Sequence, residues 1–157
     1  MRLIAIVEED FINYKKPSMV LAFPFCTFKC ERENPTLNCQ NSWMATAKVD
    51  NYHSGDIIQL YKNNPITEAI VCQGLEPFES FEELLNFLKE FRKVSNDDFV
   101  IYTGFDKFEI KDKVKKLQEY PNVIIKFGRL LPSDGPHYDV ILGVNLFSNN
   151  QYAEKIS

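Results

Sequence analysis

Apolar residues along this chain fall into short runs separated by longer polar-patterned stretches. The runs Leu3–Val7, Met19–Phe23, Ala69–Cys72, Phe99–Tyr102, Val123–Phe127 and Val140–Leu142 are too short for helices. Most are apolar at every position, which predicts strands covered on both faces. The intervening stretches carry helical patterns. Ser54 can cap a helix reaching about Tyr61, stopped by Asn63-Asn64-Pro65. Ser80-Phe81-Glu82-Glu83 reads as a capping box, opening a helix with Leu84, Leu85, Leu88 and Phe91 on one stripe. A third helix is expected from about Lys107 to Glu119, with Ile110, Val114 and Leu117 inward and Pro121 beyond its end. Strands alternating with helices imply right-handed crossovers and an α/β fold with a mostly parallel sheet. An incomplete barrel and an open doubly wound sheet both fit this order, and in either the ligand site lies at the carboxyl ends of the strands.

Composition narrows the class. The 157 residues are 45% hydrophobic and 25% charged, as in a soluble globular protein, and suit a single domain spanning 1–157. A net charge of -4 provides no general attraction for nucleic acid or an anionic membrane, so neither is an expected partner. Lys111, Lys113, Lys115 and Lys116 make a local basic run, read as a solvated helix face. No apolar stretch approaches the roughly 20 residues that span a bilayer. No signal-peptide pattern is visible, which makes the cytoplasm the expected location. Thiols stay reduced there, so clustered cysteines point to metal binding or catalysis rather than disulfides.

The rim of strand ends is where the chemistry collects. Cys26, Cys30 and Cys39 follow the second run, Gln73-Gly74-Leu75-Glu76-Pro77 the third, Thr103-Gly104 the fourth and Gly128-Arg129 the fifth. Three thiolates are one short of a closed four-ligand site, and an open metal position is where small molecules bind and react. The alternative is a structural zinc site with Cys72 as fourth ligand, although Cys72 ends an apolar strand and reads as a buried inert thiol. Trp43 is expected to pack in the core or at the rim. Arg129 reads equally as a surface salt-bridge former. His53 and His137 lack metal-ligand spacing.

Several of these segments resemble a known family in order and position. Cys26-x3-Cys30 followed by a third cysteine is similar to the cluster loop of the radical S-adenosylmethionine enzymes. Cys39-Gln40-Asn41-Ser42-Trp43 resembles a Cys-Tyr-Asn-x-x-Trp stretch of the anaerobic ribonucleoside-triphosphate reductase activating proteins, which act on glycyl-radical enzymes. Gln73-Gly74-Leu75-Glu76-Pro77 resembles the superfamily's Gly-Gly-Glu-Pro element, and Ile101-Tyr102-Thr103-Gly104-Phe105 a strand ending in Thr-Gly-Tyr. Gly128-Arg129 and Ser148-Asn149-Asn150-Gln151 resemble the activators' Asp-Gly-Arg and Gly-Ser-x-Asn-Gln segments, so the likeness covers nearly the whole chain. Two departures stand out. Eight residues, Glu31 to Asn38, separate Cys30 from Cys39 where the family has two, and Asn38 replaces the aromatic before the last cysteine. Gln73 stands in place of the first glycine.

The resemblance implies a (β/α)6-type partial TIM barrel and a 4Fe-4S cluster held by Cys26, Cys30 and Cys39. It implies S-adenosylmethionine as the second cofactor, with Gln73, Gly74 and Glu76 along the methionyl amine. Thr103 and Lys126 would hold ribose or carboxylate, and Phe28 would pack on the adenine or shield the cluster. The implied activity is an oxidoreductase that cleaves S-adenosylmethionine reductively and generates a glycyl radical. Its partners would be the large anaerobic ribonucleotide reductase subunit, or another glycyl-radical protein, and a one-electron donor such as flavodoxin. Two alternatives remain: a small-molecule radical enzyme similar to 7-carboxy-7-deazaguanine synthase, and a non-catalytic zinc-stabilised interaction module.

Overall fold

The computed structural model describes residues 1–34, 39–131 and 135–157. Its centre is a six-stranded sheet of β2 (Ala5–Asp10), β3 (Ser18–Phe23), β5 (Ala69–Gly74), β6 (Asp98–Tyr102), β7 (Val123–Phe127) and β10 (Tyr152–Lys155). The order is β10-β7-β6-β5-β3-β2, with β3, β5, β6 and β7 parallel and the two edge strands antiparallel. Two short pairs complete the strands, β1 (Arg2–Leu3) with β4 (Asp50–Asn51) and β8 (His137–Asp139) with β9 (Val144–Leu146). The fold is therefore α/β with a mostly parallel sheet, and β2 and β10 end it without pairing to each other.

Alternation along the strands divides the core in two. Met19, Leu21, Phe23, Ile70, Cys72, Phe99, Ile101, Val123, Ile125 and Phe127 face one layer, against Ile57 and Tyr61 of α2 (Ser54–Asn63), Leu84, Phe87, Leu88 and Phe91 of α3 (Phe81–Phe91), and Val114 and Leu117 of α4 (Lys111–Leu117). Val20, Ala69, Val71, Val100 and Ile124 face the other way, where Tyr14, Leu142, Leu146 and Ala153 cover them. The parallel strands thus run in sequence order with α2, α3 and α4 on one face. A doubly wound sheet would divide its helices between both faces around a switch point.

Four expectations change in detail. The first run is split: Ile4 donates to the Ala22 carbonyl between β1 and β2, and β2 continues through Glu8, Glu9 and Asp10. Charged residues suit that position because β2 is an edge strand. Val140–Leu142 is a turn, not a strand. Asp139 Oδ1 accepts from the Ile141 and Leu142 N–H groups at 2.9 Å each, giving the backbone an alternative to a ladder; Leu142 is buried in the core and Ile141 packs partly against it. Ser80 makes no cap hydrogen bond and its hydroxyl is buried without a partner. The chain instead enters α3 through a 3-10 turn, Pro77–Ser80, capped by the Glu76 carboxylate. The third helix begins only at Lys111, because Glu109 Oε2 accepts from Asp106 N and holds the preceding residues in a turn.

Gly74 closes β5 at φ +107°, where a Cβ would lie 2.8 Å from Phe23 N and 2.9 Å from Phe23 O. Both obstacles are backbone of the neighbouring strand, so neither can yield by rotating a side chain. Gly74→Ala is expected to cost roughly 2–3 kcal/mol. That corresponds to a fall of roughly 4–12 °C in the thermal melting temperature, read by circular dichroism.

Candidate metal and cofactor site

The loops after β3, β5, β6 and β7 meet at the carboxyl rim. Cys26, Thr27, Lys29, Cys30, Glu76, Glu79, Gly104, Phe105 and Arg129 line one cleft there. Residues from all four strand ends therefore share a wall. Gln73, Gly74, Lys126, Phe28 and Cys39 do not line this cleft.

Glu76 is the fixed point. Although it is only 5% exposed, its carboxylate accepts three hydrogen bonds: from Phe78 N at 3.1 Å, Thr103 Oγ1 at 2.8 Å and Gly104 N at 2.9 Å. Burial still pushes its carboxyl up to about 7, against those three donors and the charge of Lys126. Thr103 also accepts from Phe105 N, so its hydroxyl is fully occupied. The side chain expected beside an amine is, in this structure, the tie between the ends of β5 and β6. Lys126, 7% exposed, donates to the Gly128 carbonyl at 2.7 Å, and burial lowers its ammonium to about 8 despite Glu76. Gln73 is half-buried and alternates with core-facing Cys72, so it points to the opposite face of the sheet, as does Lys126.

The cysteine loop begins with Phe28 in the left-handed region at φ 51°, which turns the chain into α1 (Lys29–Glu33). That conformation directs Phe28 N to Cys26 Sγ at 3.2 Å. Burial pushes the Cys26 thiol up to about 11, partly opposed by this N–H and reinforced by Glu76, Cys30 and Cys39. Burial and then Cys39 raise Cys30, which the Glu31 N–H opposes. Cys26 and Cys30 therefore both sense the charge of Cys39. Asn38, in the place of the family's aromatic, and the Pro35-Thr36 part of the polar insertion lie outside the described residues.

This donor set fits an iron–sulfur cluster. Thiolates of Cys26, Cys30 and Cys39 would be soft ligands for it, and backbone N–H groups are aimed at the Cys26 and Cys30 sulfurs. Cys72 is fully buried in the helix-side core and its thiol is raised by burial, so it is remote from a fourth-ligand role.

Sequence reading missed the charged lattice that fastens this loop. Lys29 pairs with Glu109, Arg129 Nη2 with Glu109 at 2.8 Å, and Arg129 Nε with Glu33 at 3.2 Å. Arg129 is thus a rim tie rather than a free surface cation. The Lys29-x3-Glu33 spacing inside the cysteine loop was the available signal of a helix there. The Gly128-Arg129 and Ser148–Gln151 segments lie against each other, Asn150 Nδ2 donating to the Arg129 carbonyl at 2.8 Å. Trp43, expected to pack, is 66% exposed in the 3-10 turn Ser42–Thr46. Of the basic run, Lys113 donates to the Phe78 carbonyl and lies over the Phe81 ring with Lys116.

A family model described as a 4Fe-4S single cluster domain aligns with residues 18–133. No curated protein and no solved structure matches the chain.

Two outcomes test the rim. Thr103→Val, equal in shape, is expected to cost roughly 1–2 kcal/mol and lower the urea midpoint, since Glu76 and Phe105 each lose a partner. Arg129, with Lys29 and the Asp106 N–H assisting, holds the Glu109 carboxyl down to about 2, against burial. Its stabilisation is therefore complete above the ordinary glutamate range and is lost as pH falls toward 2. Glu109→Gln should flatten the pH dependence of the urea midpoint below about pH 4.5 and leave the slope near neutrality unchanged.

Proposed function

Because the chain belongs to the 4Fe-4S single cluster domain family, we propose that it is a radical S-adenosylmethionine oxidoreductase that activates a glycyl-radical protein. The observation that carries this reading is the cysteine loop, whose half-buried Cys26 and Cys30 line one cleft with Glu76 and Gly104. When bound, the cluster supplies an iron that can chelate the amine and carboxylate of S-adenosylmethionine, and one electron, drawn from an external donor of the flavodoxin type, to split its sulfonium carbon–sulfur bond into methionine and a 5′-deoxyadenosyl radical.

Cys26, Cys30 and Cys39 hold the cluster. Gly74, with no side chain, lets the Phe23 backbone approach closely at the end of β5, and Gln73 lies beside it on the face opposite the helices. Glu76 and Thr103 hold that edge in place through each other. Lys126, buried on the same face as Gln73 and one residue before the end of β7, is the cation assigned to a substrate carboxylate or ribose. Phe28 shields the thiols. The chemistry supplied there would be removal of a hydrogen atom from a backbone glycine of the partner, giving 5′-deoxyadenosine and a stored glycyl radical. In this reading the open sheet is an incomplete (β/α) barrel: its parallel strands follow in order with α2, α3 and α4 outside, and the gap lies between β2 and β10.

A protein substrate suits the rim better than a small molecule. The loops that carry the site also expose Phe25, Trp43, Phe108 and Phe147. A large anaerobic reductase subunit is the partner that the sequence resemblance favours. Among the described residues, no helix is long and apolar enough to cross a membrane.

Anaerobic reconstitution with iron and sulfide should give about four of each per chain. Reduction with S-adenosylmethionine should then release methionine and 5′-deoxyadenosine, quantified by chromatography. Cys26→Ala, Cys30→Ala and Cys39→Ala should each abolish both. A Cys39→Ala variant that cleaves at the wild-type rate, or a colourless zinc-loaded protein purified without air, would falsify the assignment.

A further inference from the structure

Resting on the reading of Cys26, Cys30 and Cys39 as cluster ligands, we propose that Glu31 is the positioning residue that closes the lengthened cysteine loop and holds Cys39 beside Cys30. Glu31 directly follows Cys30, and its Oε1 accepts from the Cys39 backbone N–H at 2.7 Å. With eight residues between the two cysteines, chain connectivity alone does not bring them together. This single bond spans the insertion at its base.

The platform for that bond is α1. Lys29 and Glu33, one turn apart, pair with each other and with Glu109 and Arg129. Arg32 donates to the Thr27 carbonyl. Residue 31 is two positions from both Lys29 and Glu33, which places it on the opposite side of the helix, toward Cys39. Beyond Cys39 a second tether follows: Asn41 Nδ2 donates to the Gly74 carbonyl at 2.9 Å. Cys39 is therefore bracketed by Glu31 on the second-cysteine side and by the end of β5 on the other.

The hydrogen bond that Glu31 accepts from Cys39 N gives it a structural role. Glutamine keeps an acceptor at the same reach without the charge, and alanine removes it, so the two variants separate positioning from electrostatics.

The first measurement needs no cluster. In the apo-protein carrying Cys26→Ser, oxidised glutathione should join Cys30 to Cys39. Glu31→Ala should slow that step roughly tenfold, and Glu31→Gln should restore it. The second uses the reconstituted protein: Glu31→Ala should release iron to a chelator roughly tenfold faster than wild type, with Glu31→Gln close to wild type. Thermal melting of the apo-variants should match wild type, because Glu31 lies outside both core layers. Unchanged disulfide formation in Glu31→Ala overturns the proposal, and so does a glutamine variant as impaired as alanine. A wild-type protein that takes up no iron and sulfide overturns the cluster reading instead, while the disulfide measurement still reports on Glu31.

Discussion

A carboxylate sealed from water at the end of β5, answered by donors from Phe78, Thr103 and Gly104, holds the rim of this sheet together. Removing a charged group from water costs several kcal/mol unless hydrogen bonds replace its hydration. Three donors do so here. Each comes from a segment whose direction then becomes fixed: the turn into α3, the end of β6, and the first glycine beyond it. Everything placed on the rim inherits its position from that arrangement, including the wall of the cleft that Cys26 and Cys30 share.

The cysteine loop is attached to this rim by different means. Its outer fastening is electrostatic, through Lys29, Glu33, Glu109 and Arg129, and Glu109 and Arg129 are each only 14% exposed on their side chains. Pairs this shielded are screened less by salt than those at the open surface. Its inner fastening is by hydrogen bonds with backbone: the Cys39 N–H donates to Glu31, and Asn41 donates to the Gly74 carbonyl.

The family relation and the geometry bear on different levels. The match over residues 18–133 covers the parallel strands, the cysteine loop and the Glu76–Gly104 rim. It assigns a cluster. The choice of S-adenosylmethionine and of a protein partner rests on the motif resemblance together with the exposed aromatic rim.

Five of six apolar runs coincide with strands, because continuous hydrophobicity is a local record of burial on both faces. The cysteines were legible for a similar reason, since few residue types serve a soft metal. Helix entries were less legible. Ser80 carries a capping signature, yet Glu76 four residues earlier reaches the turn first, and only the close approach of β6 makes it point there. Val140–Leu142 reads as a strand because apolar residues in a turn and in a ladder look alike until Asp139 is seen turning back on the backbone. By itself the sequence determined the four parallel strands, the α/β class and the thiolate loop, all set by periodicity and residue chemistry over a few positions. Tertiary structure alone decided that Glu76 meets Thr103 across 27 residues and Lys29 meets Glu109 across 80. The partner of a charge is chosen by which strand ends lie side by side, and no local pattern encodes that neighbourhood.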